Sequence, residues 1–181
     1  MYFNVSKLLR EPSGSSRVFE IDDELGSVPG SEAQRVRGTA SMLRTVDGVW
    51  VSAALDSTAR STCSRCLTEY VQPVHMAIEE EFLPLVDPNN GARAVGPGDG
   101  QESFRIDGDH ILDLTEAVGQ YYSLGRPMKP MCREECKGIC ATCGADLNET
   151  SCRCDTTTRD VRWSALHDLI TFSESSEVHS S

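Results

Sequence analysis

The stretch Cys132–Cys154 reads CREECKGICATCGADLNETSCRC and contains six of the eight cysteines of this 181-residue chain. The other two, Cys63 and Cys66, form a separate C-x-x-C pair. A short segment with so many thiols and so few apolar side chains cannot bury enough surface to fold by hydrophobic burial alone. It therefore needs a cross-link, supplied either by disulfides or by metal.

The N-terminus favours metal over disulfides. Residues 1–16 contain no uninterrupted apolar run, so we predict neither a signal peptide nor a membrane span. The default compartment is then the reducing cytoplasm, where clustered thiols more often hold metal than form disulfides. We therefore expect a cytoplasmic protein that binds metal, and disulfides are the alternative.

The spacing of the cysteines predicts two sites with four ligands each. In Cys140-Ala-Thr-Cys143-Gly, a tight turn aims two thiolates at one ion, as in a zinc knuckle. Cys152-Arg-Cys154 places two more thiols on one side of an extended strand. The four remaining cysteines are expected to form a long-range clasp between the cysteine-rich module and the sheet: Cys63, Cys66, Cys132 and Cys136.

The ligand type favours zinc in both sites. Four soft thiolates in closed loops suit a tetrahedral ion and leave no open position for a reactive water, so we predict two structural zinc ions. An iron–sulfur cluster is the alternative metal centre. A thioredoxin-like redox pair is disfavoured because no βαβ pattern surrounds either C-x-x-C.

Sequence motifs of known active sites are absent from the chain. It contains no HExxH, no GxSxG and no Gly-rich loop before a helix. We therefore predict no enzymatic activity, no catalytic residues and no small-molecule substrate.

The clearest secondary structure is a β-hairpin around Asp47-Gly48, a favoured two-residue type I′ turn that would pair Val46 with Val49. Alternation then continues through residues 70–82. It predicts an antiparallel β-meander or partly closed sheet with one polar face. The predicted apolar face comprises Val36, Gly38, Ala40, Met42, Val46, Val49, Val51, Ala53, Leu55, Ala59, Val74, Met76, Ile78 and Phe82, interrupted by Arg44 and Ser57.

The same register places Arg35 opposite Arg60, with Arg37 on the same side. Like charges facing each other across a strand pair are destabilising unless an anion lies between them. One interpretation is that acidic side chains of a neighbouring strand or loop neutralise them. The other is that these arginines, together with Arg65, contact RNA phosphate or an acidic partner.

The remaining segments predict an α+β organisation. Residues 84–103 are rich in Pro, Gly, Asn and Asp and are expected to form a mobile acidic loop. Asp113-Leu-Thr-Glu is a capping pattern for a helix over 113–124, with Leu114, Ala117, Val118, Tyr121 and Leu124 facing inward. We expect three regions: a mainly antiparallel β domain over 1–125, a cysteine-rich zinc module over 126–171 whose closing helix begins at Asp160, and a disordered tail over 172–181.

The net charge of −11 limits the partners. Residues 79–116 alone contain ten acidic and two basic side chains. Phosphate is repelled by such a protein overall, so undirected nucleic-acid binding is disfavoured. A protein partner, or a ribonucleoprotein approached through the arginines, is favoured over free RNA.

Several motifs in order resemble the YceD family. They are CSRCL at 63–67, DLTEAV at 113–118, RPMKPMCREECKGICATCGADLN at 126–148, CRC at 152–154 and DVRWSAL at 160–166. The resemblance covers about residues 15–170. The family is described as large ribosomal RNA subunit accumulation proteins, and some members keep a C-x-x-C but lack the second cluster. That implies a first site completed by ligands near Cys132 and Cys136.

The resemblance implies a non-catalytic ribosome-biogenesis factor that promotes accumulation or processing of 23S rRNA. Its expected partners are a ribosomal precursor particle, a ribosomal protein or an rRNA-processing nuclease. The alternative from another class is a zinc-ribbon adaptor in transcription or another protein assembly. An RNA-processing enzyme would need an acid/base pair that the sequence does not offer.

Overall fold

The computed structural model describes residues 1–26, 34–88, 90–93 and 104–154. Seven strands form one mixed sheet in these ranges, accompanied by two short helices. No helix in the described ranges is long and apolar enough to cross a membrane. The elements are β1 (Tyr2–Asn4), α1 (Ser6–Arg10), β2 (Ser16–Leu25), β3 (Gln34–Arg44), β4 (Val49–Thr62), β5 (Glu69–Pro84), β6 (Phe104–Ile106), β7 (Ile111–Asp113) and α2 (Thr115–Leu124).

The strand order is β1-β7-β6-β5-β4-β3-β2. Strands β2 to β5 form the predicted antiparallel meander, but β6 runs parallel to β5, so the prediction is only partly right. Phe104 of β6 pairs with Phe82 of β5, and the two rings stack with centroids 5.1 Å apart. This apolar pair stabilises the parallel pairing of β5 with β6. Strand alternation alone does not predict that pairing.

The sheet curls so that its two edge strands approach each other. Phe3 of β1 and Phe19 of β2 lie with their ring centroids 5.1 Å apart, although their strands are at opposite ends of the strand order. Side-chain packing therefore spans the gap between the edges, in line with a partly closed sheet.

The β3–β4 hairpin has a different turn from the predicted one. Arg44, not Val46, pairs with Val49, and residues 45–48 form the loop. The Thr45 hydroxyl accepts a hydrogen bond from the Gly48 N–H at 2.9 Å, and the Arg44 guanidinium donates to the Gly48 carbonyl at 2.8 Å. These side-chain contacts stabilise a four-residue loop instead of a type I′ turn.

The register shift of two residues keeps each side chain on its predicted face, because the side-chain period of a strand is two. The predicted Arg35–Arg60 opposition is wrong, since Arg37 pairs with Asp56 in the observed register. Val46 lies in the loop and is 80% exposed. The other predicted inward side chains with a Cβ are buried: Val36, Ala40, Met42, Val49, Val51, Ala53, Leu55, Ala59, Val74, Met76, Ile78 and Phe82.

The two polar interruptions of this face have hydrogen-bond partners. The Arg44 guanidinium donates to the carbonyls of Leu9 and Thr45 at 3.1 and 2.6 Å, and the Ser57 hydroxyl donates to the Arg35 carbonyl at 2.9 Å. Polar groups can lie beside an apolar core when they are paired in this way.

Helix α2 begins later than predicted. The N-cap residue is Leu114, which makes no side-chain cap hydrogen bond, and the helix starts at Thr115. The Asp113 carboxylate lies one residue before the N-cap and accepts a hydrogen bond from the Thr115 N–H at 2.9 Å. Leu124, predicted to face inward, is 78% exposed, whereas Tyr122 is buried and its hydroxyl donates to the Thr58 carbonyl at 3.1 Å. The N-terminal segment forms both β1 and the short helix α1.

Contacts divide the chain into two compact units, residues 1–64 with 68–134 and residues 65–67 with 135–181. The predicted division at 125/126 stays a prediction. Part of the predicted 84–103 loop is ordered as a tight turn, in which the Asp87 N–H donates to the Ala92 carbonyl at 2.8 Å. Residues 94–103, the predicted helix from Asp160 and the 172–181 tail lie outside the described residues.

Candidate metal centres

The eight thiols lie in two groups of four. Within each group, the sulfur atoms are all within 4.8 Å of one another. These are the two groups that the spacing predicts as ligand sets. They are Cys63, Cys66, Cys132 and Cys136, and Cys140, Cys143, Cys152 and Cys154.

The turn after β4 presents Cys63. Its N–H donates to the Thr68 carbonyl at 2.9 Å, which closes the C-x-x-C loop. Leu67 in that loop has φ +61°, a left-handed conformation that costs a residue with a Cβ about 1–2 kcal/mol. Backbone strain of this kind is concentrated at functional sites, which is consistent with a loop shaped to hold a ligand.

Tyr70 lies next to the same sulfurs. Burial, and then the nearby Cys63 and Cys132 sulfurs, raise the pKa of the Tyr70 phenol. The Tyr70 hydroxyl is hydrogen-bonded to the Gln72 side chain, so the ring is held in place beside the thiols.

The second group is built on a small hairpin. The Cys140 N–H donates to the Ala145 carbonyl at 2.8 Å, and the Gly144 N–H donates back to the Cys140 carbonyl at 2.9 Å. Gly144 has φ +72°, which glycine adopts readily. The Thr142 N–H points at the Cys140 sulfur, 3.4 Å away. This is the arrangement of a zinc knuckle, in which backbone donors support a thiolate.

Two thiols of this group have pKa values shifted in opposite directions. Hydrogen bonds from the backbone N–H groups of Cys143 and Thr142 lower the pKa of Cys140 to about 6. Hydrogen bonding to Cys143, together with burial, raises the pKa of Cys154 to about 12. Four sulfurs this close cannot all ionise unless a cation balances their charge. The donor set therefore fits a divalent, thiophilic metal ion.

Asn148 is a site residue that the sequence reasoning did not identify. Its side-chain N–H donates to the Cys136 sulfur at 3.5 Å and to the Asp146 carboxylate at 2.7 Å. Its side-chain oxygen accepts from the Lys137 N–H at 2.8 Å. Such a contact orients a thiolate ligand. The signal was available in the motif C-G-x2-L-N, where an amide follows the knuckle at a set distance.

Arg65, one of the arginines predicted to contact RNA or a partner, has a local structural contact. Its guanidinium donates to the Cys136 carbonyl at 2.9 Å, and its own carbonyl accepts from the Ile139 N–H at 3.2 Å. Gly138 has φ +76°, and a Cβ there would lie 3.1 Å from the Arg65 carbonyl oxygen. The close approach favours glycine at this position.

Arg35 and Arg37 form ion pairs with Asp22 of the adjacent strand β2. Arg35 binds this carboxylate with two nitrogens, at 2.6 and 2.7 Å, and Arg37 binds it at 3.2 Å. The hydrogen bond from Arg35, supported by Arg37, lowers the pKa of Asp22 to about 2. The interpretation that a neighbouring strand neutralises these arginines therefore accounts for both. Arg60 is exposed on β4.

Comparison with known proteins identifies a family. Residues 51–170 match the family described as "Large ribosomal RNA subunit accumulation protein YceD". Uncharacterized protein ML1660 of Mycobacterium leprae is 29% identical over 101 residues, which are 56% of this chain and 44% of the relative. Uncharacterized protein Rv2926c of Mycobacterium tuberculosis is 28% identical over 125 residues, 68% of this chain and 56% of the relative.

The chain thus spans about half the length of the curated relatives that it matches. No solved structure matches the chain significantly. The family match covers both cysteine groups, the β4–β5 hairpin and α2.

Proposed function

Because this chain belongs to the YceD family, we propose that it is a cytoplasmic, non-catalytic factor that promotes accumulation or processing of 23S rRNA during ribosome biogenesis. The observation that supports this most directly is the match over residues 51–170, which includes all eight cysteines. A role in accumulation requires binding and positioning, and these need no reactive centre.

Two structural zinc ions are part of the proposal. Cys63, Cys66, Cys132 and Cys136 would hold one ion, and Cys140, Cys143, Cys152 and Cys154 the other. The support is the clustering of the sulfurs within 4.8 Å and the backbone donors around Cys140. Four thiolates complete a tetrahedral shell, so zinc bound in this way would cross-link the chain and would not activate water.

The proposed partner is a ribosomal precursor particle, a ribosomal protein or an rRNA-processing nuclease. Contact with rRNA phosphate through Arg35, Arg37, Arg60 and Arg65 belongs to the proposal as well. A phosphate that bound Arg35 and Arg37 would have to displace the Asp22 carboxylate, which these two arginines share. Phosphate would match their planar donor geometry if it did so.

The functional proposal is tested in a deletion strain. We expect 23S precursors to accumulate, or mature 23S rRNA to fall, with restoration by the wild-type gene. An unchanged 23S profile would overturn the proposal. Co-purification of RNA polymerase subunits in place of ribosomal components would favour the zinc-ribbon adaptor, and turnover of precursor rRNA by the purified protein alone would favour an enzyme.

The metal proposal is tested by elemental analysis of the purified protein. We expect about two zinc ions per chain, falling to about one in Cys143→Ser and to about one in Cys63→Ser, because each variant breaks one complete ligand set. Loss of both ions in either single variant, or iron in place of zinc, would contradict the two-site assignment.

A further inference from the structure

The outward face of strands β2 to β5 contains a shallow trough of about 390 Å³. Its lining combines short side chains from three neighbouring strands with Val18 and Glu79 at its ends. The short residues are Thr39, Ser41, Ser52, Ala54 and Ala77.

The trough results from the strand register. One row across the sheet reads Val18, Ser41, Ser52, Glu79, and the next reads Glu20, Thr39, Ala54, Ala77. The solvent face of an antiparallel sheet is normally polar. Here Ala54 and Ala77 are paired on that face, and Val18, at the β2 end of the neighbouring row, is 69% exposed. The short side chains leave a depression lined partly by methyl groups, where long polar side chains would otherwise cover the sheet.

The charged side chains in the two rows of the trough and in the next pair towards Trp50 are acidic. Glu20 and Glu79 end the two rows, and Glu81 lies one pair farther along β5. The outward-facing residues of 16–20, 39–43, 50–54 and 77–81 include no lysine or arginine. The arginines farther along the same face, Arg35 and Arg37, are bound to Asp22. This end of the sheet therefore repels phosphate and attracts cations.

An aromatic side chain borders the trough. Trp50 is 37% exposed and lies between Leu43 on β3 and Glu81 on β5 in the register. A guanidinium is stabilised both by a carboxylate and by the face of an indole ring. Trp50 and Glu81 together offer both kinds of contact to an arginine side chain.

We propose that this trough is a docking surface for an extended, arginine-rich segment of a partner protein. The segment's backbone lies over the small residues, and its arginines reach Glu20, Glu79 and Glu81. The acidic border selects a basic polypeptide over RNA. This inference needs only the sheet, so it does not depend on the zinc sites or on the role in 23S rRNA accumulation.

The charge requirement is tested by fluorescence anisotropy with a fluorescein-labelled peptide in which arginine alternates with threonine. We expect binding that weakens as salt increases. Glu79→Lys should weaken it by about tenfold or more, because like charges then face each other. The matched control is Glu69→Lys, which makes the same charge change on the outward face of the same strand, ten residues away. An equal loss in both variants would show a non-specific charge effect and overturn the proposal.

The shape requirement is tested without changing charge. Ala54→Trp fills the trough and should weaken peptide binding, whereas Thr58→Trp, on the same strand and face, should not. Both sites are exposed, and circular dichroism of the variants verifies the fold. Unaltered binding to Ala54→Trp would overturn the proposal, as would no binding of the peptide at low salt. Tighter binding of single-stranded RNA that is lost in Ala54→Trp would also overturn it.

Peptide binding to the trough and the role in 23S rRNA accumulation can be tested independently of each other. A strain with Ala54→Trp can be profiled for 23S precursors alongside the deletion strain. A deletion phenotype without peptide binding would refute the docking surface alone. Peptide binding without a deletion phenotype would refute the ribosomal role alone.

Discussion

The sheet and the cysteine-rich segment of this chain differ in the side chains that they bury, and therefore in the interactions that can stabilise them. The sheet buries a continuous apolar cluster that includes Phe82, Leu55 and Tyr122. In the described residues 135–154, the only buried side chains are the thiols of Cys136 and Cys140. Hydrophobic burial explains the first region and cannot explain the second. The pattern of burial predicts a sheet that folds without metal and a segment whose stability depends on its thiols.

Removing the proposed zinc ions should produce the largest contrast between the two regions. After treatment with a strong chelator, we expect the amides of Cys140 and Leu147 to lose protection from hydrogen exchange, because structural zinc contributes on the order of 10–16 kcal/mol in zinc-finger peptides. Amides of Val51 and Ile78 in the sheet should stay protected. The measurement is hydrogen exchange followed by NMR. Protection of Leu147 that persists without metal would show that the segment folds by itself.

A cavity in the sheet should destabilise the sheet and leave metal binding by the cysteine-rich segment unchanged. Phe82→Ala removes a fully buried ring and should lower the free energy of unfolding by about 3–5 kcal/mol. Chemical denaturation of the metal-loaded protein measures this change, and the zinc content should remain as in the wild type. Val71→Ala, at a 64% exposed position on the same strand, is the control and should change stability by less than about 0.5 kcal/mol. A fall in zinc content for Phe82→Ala would show that zinc binding depends on the packing of the sheet.

Asn148→Ala tests how the cysteine segment orients a ligand. The variant removes the donor to the Cys136 sulfur and the acceptor of the Lys137 N–H. We expect zinc affinity, measured by competition with a chromophoric chelator, to fall about 10- to 100-fold for one ion. Glu149→Ala is the neighbouring control. Asn148→Asp keeps the acceptor but replaces the donor with a charge, so it should retain the local fold and still weaken binding. Wild-type affinity in Asn148→Asp would exclude the orienting role.

The smallest expected effect concerns the exposed ion pairs of the sheet. The lowered pKa of Asp22 means that its contribution to stability is present above about pH 4 and is lost as pH falls towards 2. Carboxyl NMR should give a midpoint near 2 for Asp22. In Arg35→Gln the midpoint should rise towards the ordinary value of 3.8, whereas Arg60→Gln should leave it unchanged. A midpoint that does not respond to Arg35→Gln would refute the assigned cause.

The sequence predicted the sheet faces better than it predicted the turns. Alternation placed Met42 and Val51 inward because a register error of two residues leaves every face unchanged. It could not predict the loop, which depends on the Arg44 and Thr45 side chains contacting backbone groups. The parallel β5–β6 pairing was also missed, because strand periodicity carries no information about direction.

Spacing was informative for the thiols because short C-x2-C and C-x-C segments restrict where two sulfurs can point. It did not identify Asn148, because the motif C-G-x2-L-N gives the position of an amide but not its contact with Cys136, which depends on the fold of the chain. For the arginines, pattern alone left both neutralisation and recognition open. Only the β2–β3 register, which brings Asp22 beside Arg37, shows how their charge is balanced.

The curled sheet has a consequence for the order in which the chain folds during synthesis. Strands β2 to β5 pair with their neighbours in sequence, but Phe3 of β1 pairs with Leu112 of β7. At a translation rate of about 5–20 residues per second, β7 is synthesised roughly 5–20 s after β1. Strand pairing over such a separation also slows folding. The meander therefore assembles first, and β1, although it is synthesised before the meander, is among the last strands to enter the sheet.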